Sequence, residues 1–330
     1  MNAAVLEEFG KPLAMVEREK PVAGPGEVLI RVEACGACHS DVHVADGDWE
    51  AMKRAAKLPL VLGHEVAGVI EANNARVGVP WLGWSCGACE YCMGGRESLC
   101  QKQRITGVMT DGGYAEYMVA PITHVIRIPD GLSAVEAAPL FCAGVTVFKA
   151  IKSSGLARGQ RVVVFGAGGL GHLAIQVARE LGALVCAVDV SAEKLAMAKE
   201  CGAHEVMEAS GEGQEKELRK WGADVAVVTA ASAGAYRSAV RGVKRGGTVM
   251  VVGMPAEDLQ LPVIPIVGGE LRIVGSAVGT RQDVRDMLAL AARTKIRCHT
   301  ETQPLEKVNE VFVRLRRGEV LGRIVLTPAR

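Results

Sequence analysis

Residues 161–182 read RVVVFGAGGLGHLAIQVARELG. RVVVFG is the kind of apolar, β-branched run that is buried on both faces of a parallel sheet, and helical periodicity follows it as far as Gly182. Between strand and helix, Gly166, Gly168 and Gly171 make a GxGxxG turn that also contains Gly169 and Leu170. Such a passage from strand to helix leaves few folds open, and the residues after it narrow them further. LVCAVDV (184–190), EVMEA (205–209), ADVAVVTA (223–230), GTVMVVG (247–253) and ELRIVGS (270–276) read as further strands. SAEKLAMAKECG reads as a helix with Ser191 at its N-cap. Strands alternating with helices predict an α/β fold with a Rossmann-type, doubly wound parallel sheet.

The turn implies a ligand. A helix N-terminus presents unpaired N–H groups and a positive dipole to a pyrophosphate, and the glycines let the backbone come close. Asp189 ends the next strand, 18 residues past Gly171, where an acidic side chain can accept a ribose 2′-hydroxyl and would repel a 2′-phosphate. NAD is therefore expected rather than NADP.

The preceding residues have a different texture. EVLIRVEACG (27–36) and EVAGVIEA (65–72) are short strands broken by Gly and Pro, as in an irregular β-rich domain. LEKVNEVFVRLRRGE reads as an amphipathic helix and GRIVLTP as a closing strand. Within the β-rich part lies CGACEYCMGGRESLCQ (86–101), in which Cys86, Cys89, Cys92 and Cys100 are separated by two, two and seven residues. A redox pair needs two cysteines in a βαβ context, whereas four thiols in a polar loop make a tetrahedral zinc cage with no open coordination position. That zinc is expected to be structural. Three further stretches, CHSDVH (38–43), GHE (63–65) and LFCAG (140–144), each hold a His or Cys that alone would pass for a core residue. Together Cys38, His64 and Cys142 form a set of two thiolates and one imidazole that leaves a fourth zinc position for water or substrate.

With these motifs in order, the sequence resembles the zinc-dependent medium-chain alcohol dehydrogenases, above all the bacterial and yeast-type branch. The resemblance runs through CHSDVHVADGDW, LPLVLGHEVAGV, the four-cysteine lobe, DGGYAEY, APLFCAGVTVFKA, GAGGLGHLAIQVA and VGTR. It implies a GroES-like catalytic domain over 1–145 and 280–330, an NAD-binding domain over 146–279, and two zinc ions per subunit. Cys38, His64 and Cys142 match the catalytic zinc ligands, and the other four cysteines the structural ones. Ser40 and His43 match a proton relay, Asp41 an acidic residue expected to accept the free ring N–H of His64, and Glu65 a neighbour of the metal. His39 and Arg323 match pyrophosphate contacts. Thr146 and Leu170 match positions beside the nicotinamide, and Lys194 joins Asp189 and the glycines in holding the cofactor. Trp49 and Trp81 are expected to wall the substrate pocket, with core packing as their alternative. Zinc in such a set acts as a Lewis acid on an alcohol oxygen, so hydride passes between a primary alcohol or its aldehyde and NAD. A polyol, aromatic-alcohol or formaldehyde-linked dehydrogenase of the same superfamily is the alternative.

After GHEVAGVIEA the chain is several residues shorter than the family's usual excursion. Either Asn73 and Asn74 close a tight turn through left-handed conformations, or part of a loop is missing from this sequence. Cys35, Cys186, Cys201 and Cys298 lie in apolar or helical runs and are expected to be buried spectators. The 38 basic and 37 acidic residues balance, which argues against a nucleic-acid or membrane partner and for a small molecule. No stretch approaches 18 uninterrupted apolar residues and the first 20 do not read as a signal peptide, so a cytoplasmic protein is expected, in which ten cysteines serve metals rather than disulfides. LPVIPIVGGELRIVGSAVG (261–279) is too apolar for an exposed edge and is expected to pair with another copy, and the family resemblance implies a dimer or a tetramer of such dimers.

Overall fold

The computed structural model describes residues 1–209, 213–255 and 257–329. Contacts divide the chain into Met1–Val145 with Val278–Arg330, and Thr146–Ala277. The sequence places the return at 280.

The Thr146–Ala277 unit holds six parallel strands, Arg161–Phe165, Leu184–Asp189, Glu205–Glu208, Val225–Val228, Thr248–Val251 and Arg272–Gly275. Taken in chain order, they lie in the sheet as third, second, first, fourth, fifth, sixth. The winding therefore reverses between Arg161–Phe165 and Val225–Val228, and in doubly wound sheets a ligand crevice forms outside the carboxyl ends of such a pair. The glycine turn leaves the first of these ends. Thr229, just past the other, ties the two together by donating its hydroxyl to the carbonyls of Phe165 and Gly166 at 3.0 and 2.9 Å. The sheet's core is built from Val163, Phe165, Cys186, Val188, Ala226, Val228 and Val249, with Tyr236 and Val240 of the helix Ala233–Gly242 against it.

The helix Gly171–Glu180 buries Leu173, Ala174, Ile175, Val177 and Ala178. Its first residue has no room for a side chain, because a Cβ on Gly171 would stand 1.7 Å from the Gly166 carbonyl oxygen.

The other unit is dominated by a seven-stranded sheet. Along it run Ile126–Arg127, Arg76–Val79, Glu65–Ile70, Glu27–Ala37, Arg323–Thr327 and Thr300–Pro304, with Tyr117–Pro121 also paired to Glu27–Ala37. Arg323–Thr327 pairs antiparallel with Glu27–Ala37, placing Ile324 opposite Ala37 and Leu326 opposite Cys35. A chain segment near the C-terminus thus completes a sheet that begins near the N-terminus.

Several expectations need correction. Glu65–Ile70 ends two residues before the expected Ala72, because residues 71–75 form a tight turn. Within it Asn74 takes a φ of 56°, whereas Asn73 contributes its side-chain oxygen, which accepts from the Ala75 N–H at 3.0 Å. Within the apolar stretch 261–279 the strand expected over 270–276 is shorter, and a helix that sequence did not show precedes it. Val263–Gly269 is a helix that tolerates Pro265 because its first turn has no intrahelical N–H bond to lose, and strand returns only at Arg272–Gly275. Cys35 and Cys186 are buried as expected, but Cys201 and Cys298 are half-buried. Among the described residues no single helix is long and apolar enough to cross a membrane.

The Gly171 contact carries a prediction. Gly171→Ala should lower stability by about 1–3 kcal/mol, the usual cost of forcing an extra methyl into a packed site. A thermal unfolding midpoint equal to wild type would show that the turn can open.

Candidate active site

Three loops of the Met1–Val145 and Val278–Arg330 unit bring Cys38, His64 and Cys142 together. Cys38 follows the strand Glu27–Ala37 and stands at the N-cap of the helix His39–Asp46. His64 precedes the strand Glu65–Ile70, and Cys142 lies between a 3₁₀ turn, Ala138–Phe141, and the helix Ala143–Ser153. Together with a Glu65 oxygen, their donor atoms lie within 4.8 Å of one another, and all four residues are buried.

The imidazole is held from one side. His64 Nδ1 lies 2.8 Å from Asp41 Oδ1, so a proton on Nδ1 leaves Nε2 as a lone pair, and Nε2 is buried with no hydrogen-bond partner. A buried nitrogen aimed at two sulfurs is what a zinc ligand looks like without its ion, so this donor set fits zinc. The sulfurs divide the protonation between them. The hydrogen bond from Cys142 holds Cys38 well below the usual thiol range, with Arg323 and His64 adding to it, while the same bond and burial raise Cys142 well above it. Zinc takes both sulfurs as thiolates, so its binding would release protons.

Glu65 is fully buried, and its carboxyl is pushed up to about 7 by burial, against the pull of Arg323. Arg323 Nη2 donates to Glu65 Oε1 at 2.5 Å. Glu65 Oε2 and Arg323 Nε have no partner. Arg323, matched in sequence to a pyrophosphate contact, is thus a buried cation paired with the metal's neighbour.

Asp41 bonds more widely than sequence suggests. Its Oδ2 accepts the Cys38 backbone N–H at 3.0 Å and the hydroxyl of Tyr114 at 2.7 Å. Tyr114 is absent from the sequence-derived site because a tyrosine in DGGYAEY has no signal separating it from core. Asp48 is likewise missed, although its Oδ2 lies 2.7 Å from His43 Nδ1. His43 lies tilted against Trp49, at 4.9 Å between ring centroids, and against His39 at 5.1 Å. Trp81 meets His64 edge-on at 4.7 Å. Ser40 is half-buried on the same helix, and His39 is exposed.

The second unit carries the nucleotide-type residues. Gly166 has a φ of 88°, and Gly168, Gly169 and Leu170 lead into the helix at Gly171. Asp189 is buried, accepting the Ala167 N–H at 2.7 Å and the Ser191 N–H at 3.0 Å, so its carboxylate is fixed beside the turn. Lys194 sits in the first turn of the helix Ala192–Glu200, capped by Ser191 as expected, and Thr146 is buried.

The four lobe cysteines also group, their sulfurs lying within 4.8 Å of one another. Backbone N–H groups of Ala88 and Cys89 lower the Cys86 thiol to about 6, whereas burial first, then its cysteine neighbours, raise Cys92 to about 11. The lobe is fastened at two points. Arg281 grips Glu97 with its Nε and Nη2 groups and reaches the Thr123 carbonyl at 2.8 Å. His124 Nε2 accepts the N–H of Ser85, the residue before Cys86, at 2.9 Å.

Comparison with known proteins adds to this geometry. Residues 24–130 match the family model described as an alcohol dehydrogenase GroES-like domain, and residues 169–293 the one described as a zinc-binding dehydrogenase. An alcohol dehydrogenase of Geobacillus stearothermophilus is 45% identical over 99% of both chains. The crystal structure of an alcohol dehydrogenase from Aeropyrum pernix superposes with a TM-score of 0.91 at 33% identity, covering 99% of this chain and 100% of that one. An acetophenone reductase from Geotrichum candidum, solved in complex with NAD, gives a TM-score of 0.89 at 28% identity, covering 99% and 96%.

His124 makes the lobe sensitive to acid. Burial, aided by nearby Arg281, pushes its pKa from 6.5 down to about 4. The unfolded chain therefore takes up this proton first, and stability is lost as pH falls from 6.5 towards 4. Over that window the unfolding midpoint of wild type should drop more steeply than that of His124→Gln. Parallel slopes would remove His124 from the account.

Proposed function

We infer the roles of these residues from one premise: the chain belongs to the zinc-dependent medium-chain alcohol dehydrogenase family. It is a zinc- and NAD-dependent oxidoreductase acting on alcohols and aldehydes. The observation that carries the assignment of its centre is the unpartnered Nε2 of His64 among two cysteine sulfurs, with Asp41 holding the opposite ring nitrogen. Cys38, His64 and Cys142 hold the catalytic zinc, and Cys86, Cys89, Cys92 and Cys100 the structural one. Zinc, when bound, supplies the Lewis acid that makes an alcohol proton easy to lose, and NAD takes the hydride.

The protein's own groups then have definable tasks. Ser40 accepts the alcohol proton as it gives up its own, His43 passes that one towards solvent, and Asp48 steadies the His43 ring. Glu65 balances charge at the metal through its pair with Arg323. The glycine turn receives the pyrophosphate, Asp189 and Lys194 hold the adenosine ribose, and Leu170 lies beside the nicotinamide. Trp81, edge-on to His64, narrows the space beside the metal, and Trp49 fixes His43, which favours small primary alcohols over polyols. An aromatic or formaldehyde-linked substrate is the alternative.

Ten cysteines without a disulfide fit a reducing compartment, and we place the enzyme in the cytoplasm. Val263, Ile264 and Val267 are 66%, 86% and 71% exposed on one short helix beside the sheet's end strand. An apolar face of this kind fits a second copy of the chain, giving a homodimer or a tetramer of dimers.

Two measurements test this reading. NADH formation with NAD and a panel from ethanol through butanol and benzyl alcohol to sorbitol should favour the short primary alcohols, and Cys38→Ser should abolish it while leaving the fold intact. Undiminished turnover in that variant would move the zinc elsewhere. Light scattering should give a mass of at least twice 34.8 kDa, and a single 34.8 kDa species would refute the assembly.

A further inference from the structure

Asp41 carries more hydrogen bonds than orienting one imidazole requires. Its Oδ1 faces His64 Nδ1, and its Oδ2 accepts from both the Cys38 N–H and the Tyr114 hydroxyl. All three side chains are buried, with Asp41 2%, His64 1% and Tyr114 0% exposed. Tyr114 also reaches the ligand's own backbone. Its N–H donates to the Leu62 carbonyl at 3.0 Å, and its ring lies against Gly63, where a Cβ would come within 2.6 Å of the ring's Cδ1. Gly63 has a φ of 95°, which other residues rarely adopt. The residue before His64 is therefore a glycine twice over, once for its backbone and once to admit this ring.

We propose that Tyr114 is a positioning residue for the metal-binding imidazole, acting through Asp41. With one oxygen committed to two donors from different segments, the carboxylate cannot rotate without breaking a buried, charge-assisted bond, so its other oxygen stays aimed at His64 Nδ1. The ring sets the path of residues 62–63 and the hydroxyl sets the carboxylate. His64 Nε2 then meets the metal from a fixed direction. This inference rests on the assignment of zinc to Cys38, His64 and Cys142.

Tyr114→Phe separates the two tasks, because the ring remains and only the hydroxyl is lost. The holoenzyme is challenged with a zinc chelator, and metal loss from the Cys38 site is followed separately from loss at the four cysteines. The variant should lose catalytic zinc about 10-fold faster, at the low end of what removal of an outer partner of a metal ligand costs. Its four-cysteine zinc should leave at the wild-type rate. With cobalt in the catalytic site, the visible absorption should shift, which a merely packing role would not cause. In an Asp41→Asn background the same substitution should add little, since its route to the metal is already cut. Wild-type release and spectrum in Tyr114→Phe, or effects that simply add in the double variant, would overturn the proposal while leaving the zinc assignment standing. A wild-type enzyme with no metal on Cys38, His64 and Cys142 would overturn both.

Discussion

A single buried carboxylate organises the centre. Asp41 binds the backbone of the residue that supplies one sulfur, the ring of the residue that supplies the nitrogen, and a hydroxyl from a third segment. A carboxyl group in so dry a place needs hydrogen-bond partners, and here groups from positions 38, 64 and 114 supply three. The same arithmetic fixes the tautomer of His64 and so decides which nitrogen faces the sulfurs. Segments far apart in sequence are thereby tied to one side chain.

A second buried charge pair stands beside the first. Glu65 and Arg323 are both almost inaccessible, and each keeps an atom without a partner. Breaking such a pair leaves an uncompensated charge, at a cost of about 3–5 kcal/mol, whereas the intact pair adds little net stability. Its place in the fold is better understood as electrostatic. The Cys38 sulfur, the more acidic of the two, stands beside Glu65, and the Arg323 guanidinium draws both towards their charged forms.

Much of this was legible in the sequence. The doubly wound sheet announces itself because each strand is a short apolar run between helices, and periodicity survives wherever burial is one-sided or complete. Ser191 as a cap and Asp189 at a strand end follow from residue type and spacing, and Cys38, His64 and Cys142 as a ligand set follow from residue type together with the family resemblance. What escaped depends on the third dimension. Tyr114 and Asp48 matter through partners 73 and 5 residues away that no local pattern reveals. Arg323 reads as a pyrophosphate contact, and only the folded chain shows it paired with Glu65. The helix Val263–Gly269 escaped for another reason: its composition is as apolar as a strand's, and Pro265 argues against a helix unless it falls in the first turn.

The pairing of Arg323–Thr327 with Glu27–Ala37 bears on how the protein is made. A ribosome delivers the N-terminal strand long before its C-terminal neighbour, and folding tends to begin with what has already emerged. In the interval Glu65 has no cation to meet it, and Glu27–Ala37 keeps an open edge. Every residue able to ligate zinc has been synthesised by then, yet the environment that lets them sit together in the dry interior has not. A chain released before residue 323 would therefore hold the three ligands but leave Glu65 without its cation.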